Sequence, residues 1–260
     1  MLPVLVFIHG WGQSPQSWQA QRDYFSTRCE TKMLCLPGHG GAADAPCDAW
    51  ADNLRQQLPD APHILIGWSL GGMLALQLAR QEAVQLRGLV LLSATPCFRM
   101  RADWPHGCSN ALFRGFQDSV EEDNLGETAH GKDSERLLGR FFALMLQGDA
   151  VDRRRYLDIV RRAMDRKNTP TSAGLKAGLS LLGDLDLRAI LAEITLPTLI
   201  VHGTGDSIVP LGAARFLDRA LPYATLRTLP AGHALHLTQA KKFNQILEAW
   251  CLDSISIRSV

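Results

Sequence analysis

Six short runs of apolar residues divide this chain. Residues 3–8 (PVLVFI), 31–36 (TKMLCL), 63–66 (HILI), 88–93 (GLVLLS), 197–202 (PTLIVH) and, more weakly, 224–229 (ATLRTL) read as strands. They are nearly unbroken rather than alternating, as a parallel sheet covered on both faces requires. Between them, apolar positions recur at helical spacing over 50–58, 70–81, 213–221 and 240–250. Strand and helix in alternation predict an α/β fold with a mostly parallel central sheet, helices on both faces and right-handed crossovers. From about residue 97 to 191 the strand-like runs stop, and helical patterns take over at 135–146 and 152–165. This stretch is expected to be a helical cap inserted in the middle. It divides the chain into a core of residues 1–98 and 192–260 and a cap, or lid, of residues 99–191.

Composition narrows the classes of function. At 260 residues, 46% hydrophobic and 20% charged, the chain can bury a substantial core. A net charge of +1 argues against a nucleic-acid partner that contacts the whole surface. The opening MLPVLVFIHGWG lacks the basic region and cleavage site of a secretory signal, and no apolar run is long enough to span a bilayer. A cytoplasmic protein with no membrane contact is expected. The six cysteines form no CxxC pair and no metal-ligand spacing, so they read as reduced thiols. Charge within the middle stretch is uneven. Residues 118–135 hold seven Asp/Glu and one Lys, whereas 136–167 hold nine Arg/Lys and four Asp.

Candidate chemistry begins at GWSLGG, residues 67–72, where Ser69 lies between a strand-like run and a helix-like one. A serine at such a turn is lifted above the sheet edge, with flanking glycines where a Cβ would clash and a helix N-terminus that favours developing negative charge. A serine hydroxyl needs a base. His233, in PAGHA, follows the last strand-like run, and His236 is its competitor in a more apolar stretch. The base needs a carboxylate to hold its tautomer. Asp206, in HGTGDSIVP, follows a strong strand, and Asp184 and Asp186 in GDLDLR are its rivals. The order Ser69, Asp206, His233 is that of α/β-hydrolases rather than of the other serine-hydrolase folds. Oxyanion donors are expected from the backbone amides of Leu70 and of Trp11 in the HGWG loop. The His9 side chain is expected only to brace that loop.

On these residues the chain resembles the α/β-hydrolase superfamily over nearly its full length. More narrowly, HGWG (9–12), LPGHG (36–40), GWSLGG (67–72), SATPCF (93–98) and DWP (103–105) resemble the carboxylesterases that remove a methyl ester from a pimeloyl group on acyl carrier protein in biotin synthesis. The resemblance implies an α/β-hydrolase fold with a four-helix cap, a monomer, no metal or organic cofactor, and an acyl carrier protein as partner. It implies substrate contacts from Trp11, Ser69, Leu70, His233 and the cap residues Phe141, Phe142, Ala143, Leu144 and Met145. It also implies carrier-protein contacts from Arg136, Arg140 and Arg153, with Arg154 and Arg155 adjacent. The spacing is compatible: Arg136 and Arg140 share one helix face, and Arg155, Arg162 and Arg166 another. Solvated arginines and cap-core phenylalanines are the alternatives. The chain departs from the pattern at three points. It begins at the first strong strand, so the family's leading hairpin is expected to be absent or truncated. Leu157 falls near an expected arginine, and Met145 stands where a polar residue is expected. Two other functions fit the residues, a general short-chain carboxylesterase or thioesterase with the same triad, and a non-catalytic ligand-binding protein on the same fold.

Overall fold

In the computed structural model the six apolar runs pair into one sheet, in the order β2-β1-β3-β4-β5-β6. The structure describes residues 3–81, 85–122, 132–163, 165 and 167–256. The strands are β1 (Val4–Ile8), β2 (Thr31–Leu34), β3 (His63–Trp68), β4 (Leu86–Leu92), β5 (Thr198–Gly203) and β6 (Ala224–Leu229), and every pairing is parallel. Successive residues of β1, β3 and β5 are all buried, so both faces of the sheet are covered. β2 and β6, with mostly half-exposed positions, are the edges. Strand β2 stops two residues short of the apolar run, because Leu36 and the following Pro37 turn away to begin a loop.

The helices are α1 (Gln19–Phe25), α2 (Trp50–Gln56), α3 (Leu70–Arg80), α4 (Asn110–Glu122), α5 (Lys132–Met145), α6 (Arg153–Ala163), α7 (Ser172–Asp184), α8 (Leu211–Ala220), α9 (Leu235–Thr238) and α10 (Ala240–Ser256). Helices α4 to α7 lie between β4 and β5, with no strand among the described residues there. The glycines that weaken α7 as a sequence signal have a packing reason. A Cβ on Gly178 would lie 2.7 Å from the Trp11 ring, and one on Gly174 would lie 2.8 Å from the Cα of Gly38. Helix α7 is capped by Thr171, whose hydroxyl accepts from the Gly174 amide at 2.9 Å, and the Thr171 amide donates to Gly38 O at 2.8 Å.

The strand order reverses between β1 and β3. The carboxyl ends of these two neighbours are the usual place for a ligand in an open α/β sheet. Ile8 pairs with Gly67 at that end. The HGWG loop and the GWSLGG turn therefore start side by side.

Candidate active site

Ser69 sits between β3 and α3 with φ 55° and ψ −118°, a backbone conformation that L-residues rarely adopt. The turn is tight enough that a Cβ on Gly71 would lie 2.5 Å from both Ile8 O and His9 O, and one on Gly67 would lie 2.4 Å from Gly71 O. These glycines let α3 descend directly onto β1 and β3. Ser69 is the N-cap of α3, and Leu70 is its first residue, so the Leu70 amide has no intrahelical acceptor. Among the described residues the Leu70 and Trp11 amides donate to no protein group. The HGWG loop lies against the serine, since a Cβ on Gly10 would be 3.4 Å from Ser69 Cβ.

The loop after β5 brings Asp206 to His233, with Asp206 Oδ2 2.8 Å from His233 Nδ1. Both side chains are buried. Asp206 Oδ1 accepts from the amides of Ile208 and Val209, each at 2.9 Å. Burial works against the Asp206 charge, but His233, His202 and the Val209 amide outweigh it and hold the carboxyl below the usual carboxylate range. An ionised carboxylate only accepts, so Nδ1 of His233 carries a proton, and in the neutral imidazole Nε2 is the acceptor. His233 Nε2 is buried without a partner in the protein. The base loop is also tied to the serine turn. Trp68, the residue before Ser69, donates its indole N–H to His233 O at 3.0 Å, and the two rings lie 5.9 Å apart.

The competitors named from sequence are occupied elsewhere. His236 is wedged between the rings of Trp18, tilted to it, and Trp68, edge-on to it, each 4.4 Å away, and burial pushes its pKa well below the ordinary value. Asp186 is held by the Arg188 guanidinium at 2.6 and 2.8 Å, and Asp184 closes α7. His9 and His39 are also buried and neutral. His9 Nε2 accepts from the Leu36 amide at 3.1 Å, and His39 Nε2 accepts from the Gly12 amide at 3.2 Å. Together they join the HGWG and LPGHG loops, so His9 has the bracing position expected of it.

His202 was not legible as a site residue. Its Nε2 lies 3.0 Å from Val209 O and 3.5 Å from Asp206 Oδ2. The signal available was its place four residues before Asp206, at the end of an apolar strand. No group of three or more His, Cys, Asp or Glu among the described residues could hold a metal ion.

The residues expected at the substrate divide. The Trp11 ring is buried, donates to Leu175 O at 2.9 Å and meets Phe141 edge-on at 5.0 Å and Phe116 at 5.8 Å. Phe142 is fully buried, Ala143 is exposed and Leu144 is half-buried. Met145 is buried, and its carbonyl accepts from the His233 amide at 2.9 Å. A cavity of about 230 Å³ opens beside Gly12, lined by Gln13, Ser14, Leu138, Val160 and Pro170 among others.

Arg140, Arg153 and Arg154 are exposed and, among the described residues, have no carboxylate partner. Arg155 hydrogen-bonds to Thr238 O. The Arg136 and Arg166 side chains lie outside the described residues. Leu157, where an arginine was expected, is exposed among the α6 arginines.

The chain belongs to the alpha/beta hydrolase family, whose model matches residues 5–246. Within it, the chain is 38% identical over 254 residues to the pimeloyl-[acyl-carrier protein] methyl ester esterase of Aromatoleum aromaticum, covering 95% of this chain and 97% of that one. It is 35% identical over 251 residues to the protein of the same name from Nitrosomonas europaea, covering 95% of each. Among solved structures it resembles a bromoperoxidase from Bacillus anthracis, with a TM-score of 0.80 and 23% identity over 96% of this chain and 92% of that one. An esterase from Exiguobacterium antarcticum has the same TM-score of 0.80 at 20% identity, covering 95% of this chain and 91% of that one. At such identity these two likenesses concern the fold alone.

Proposed function

We propose that this protein is a serine carboxylesterase that removes the methyl ester from a pimeloyl group carried on acyl carrier protein. The observation that carries the chemistry is the buried Asp206–His233 pair with an unpartnered Nε2, on a loop hydrogen-bonded to the residue before a strained Ser69. In this reading His233 takes the Ser69 proton as Oγ attacks the ester carbonyl. The Trp11 and Leu70 amides hold the oxyanion. His233 returns the proton to the departing methoxide, which leaves as methanol, and water then cleaves the acyl-enzyme by the same route to release the free carboxylate.

The substrate assignment rests on the names of the two relatives and on the charge of α6. Residues 99–191 act as the cap over a core of residues 1–98 and 192–260. Phe141, Leu144 and Met145 on α5 line the acyl path, and Phe142 packs the cap. Arg140, Arg153 and Arg154, with Arg136, meet an acidic carrier, which long-range attraction would steer to that face in a salt-dependent way. The protein works as a monomer in the cytoplasm, a reducing compartment that suits its six free thiols.

The test compares methanol release from the carrier-bound methyl ester with hydrolysis of a short p-nitrophenyl ester. Ser69→Ala is expected to abolish both. Charge reversal at Arg140, Arg153 and Arg154 together is expected to lower kcat/KM on the carrier substrate by about 10-fold or more at low salt and leave the small ester unchanged. A triple variant with wild-type carrier turnover would remove the docking assignment, and an active Ser69→Ala protein would remove the catalytic one.

A further inference from the structure

The turn after α5 is built into the support of the histidine. Met145 O accepts from two consecutive amides of the base loop, His233 at 2.9 Å and Ala234 at 3.2 Å. Four residues on, Asp149 Oδ2 accepts from the Gly232 amide at 2.9 Å. The three amides at and beside the base, 232 to 234, thus all end on residues 145–149. The same turn reaches the acid loop. Gly148 has φ +93°, and a Cβ there would lie 2.2 Å from Gly205 O, next to Asp206. Ser207, on the other side of Asp206, donates its hydroxyl to Leu144 O at 3.5 Å.

Asp149 is an unusual choice for such a joint. Burial raises its pKa, against which the Thr238 hydroxyl, the Gly232 amide and Arg155 act. Its Oδ1 is buried and makes no well-formed hydrogen bond, with the Thr238 hydroxyl near enough only to favour the charge. A half-buried carboxylate with an unsatisfied oxygen is costly to keep. Its one well-formed bond goes to the amide immediately before the candidate base.

We propose that Asp149 is a positioning residue for His233. Its carboxylate fixes the Gly232 peptide plane, so that the imidazole presents Nε2 to Ser69 while Nδ1 stays on Asp206. The C-terminal end of α5 is therefore a fixed post on the loops of His233 and Asp206. This rests on the serine-hydrolase reading above, and the test separates the two.

Kinetics on a short p-nitrophenyl ester are compared for the wild-type protein, Asp149→Asn, Asp149→Ala and Ser69→Ala, with labelling by a serine-directed fluorophosphonate. Asparagine keeps an oxygen for the Gly232 amide, so Asp149→Asn is expected within about threefold of wild-type kcat, as retained geometry requires. Asp149→Ala frees the peptide and is expected to lower kcat by about 10- to 100-fold, with KM changed less than about threefold and slower labelling. Gly148→Ala pushes the turn off the acid loop and is expected to lower kcat in the same sense, which gives a second reading where Asp149→Ala does not fold. Wild-type kcat in Asp149→Ala or in Gly148→Ala overturns the proposal, as does an Asp149→Asn protein as impaired as the alanine variant. Undiminished hydrolysis and labelling in Ser69→Ala would instead remove the underlying catalytic reading.

Discussion

At the scale of single residues, what separates Asp206 from other carboxylates is the number of donors that converge on it. Two backbone amides hold one oxygen, and His233 and the more distant His202 face the other. Such a carboxylate stays ionised and fixes the imidazole tautomer. Asp206→Asn removes the charge and lets His233 take the other tautomer, and kcat on an ester substrate is expected to fall by about 10³- to 10⁴-fold while thermal stability changes little. Position along the chain singled out Ser69 and Asp206 as candidates because each follows a strong apolar strand, and His233 because it opens the loop after the last, weaker one. The partners that occupy the rivals were not legible. The packing of His236 against Trp18 and Trp68 joins residues more than 150 positions apart in sequence, and no local pattern encodes it. Asp149 was hidden for the same reason. In sequence it is one acid in a mixed-charge turn, and only the fold brings it to Gly232.

Among the elements, the strands were the most legible, because a strand buried on both faces must be apolar at every position. Strand boundaries moved by a residue or two, whereas α10 runs six residues past the expected 250. Helix α7 was missed, since its three glycines read as helix breakers. Their function is spatial, bringing α7 close to Trp11 and Gly38. Helix α1 was missed because its sequence, QAQRDYF, is mostly polar and one of the two residues it buries is Gln21. The strand–turn–helix unit around Ser69 was legible because its glycines serve both the turn and the packing beneath it. Gly71→Ala sets a methyl 2.5 Å from two carbonyl oxygens of the chain leaving β1. It is expected to destabilise the fold by about 1–3 kcal/mol, read as a lower melting temperature, and to reduce kcat because α3 is pushed off its seat. A Gly71→Ala protein with unaltered melting temperature and kcat would contradict this packing account.

For the molecule as a whole, folding stability is expected to be acid-sensitive through histidines other than His233. Burial holds His9 at about 3, helped by His39 nearby, and burial holds His39 at about 4, against 6.5 in the unfolded chain. The unfolded chain therefore binds protons that the folded one excludes. Stability from these sites is complete above about pH 6.5 and is lost as pH falls toward the folded values, with a slope near pH 5 approaching two protons, or about 2.7 kcal/mol per pH unit. Urea midpoints measured from about pH 7.5 down to about pH 5 should fall, and less steeply in His39→Gln. Equal slopes in the two proteins would assign the loss to other groups. The strand order has a further consequence, for the chain as it is synthesised. From β3 onward each new strand is laid on the edge of the one made just before it, β4 on β3, β5 on β4 and β6 on β5. Ser69 leaves the ribosome early, Asp206 much later and His233 last. In the proposed mechanism the nucleophile is thus made long before its base, and a nascent chain is expected to be silent toward esters until its final sheet edge has closed.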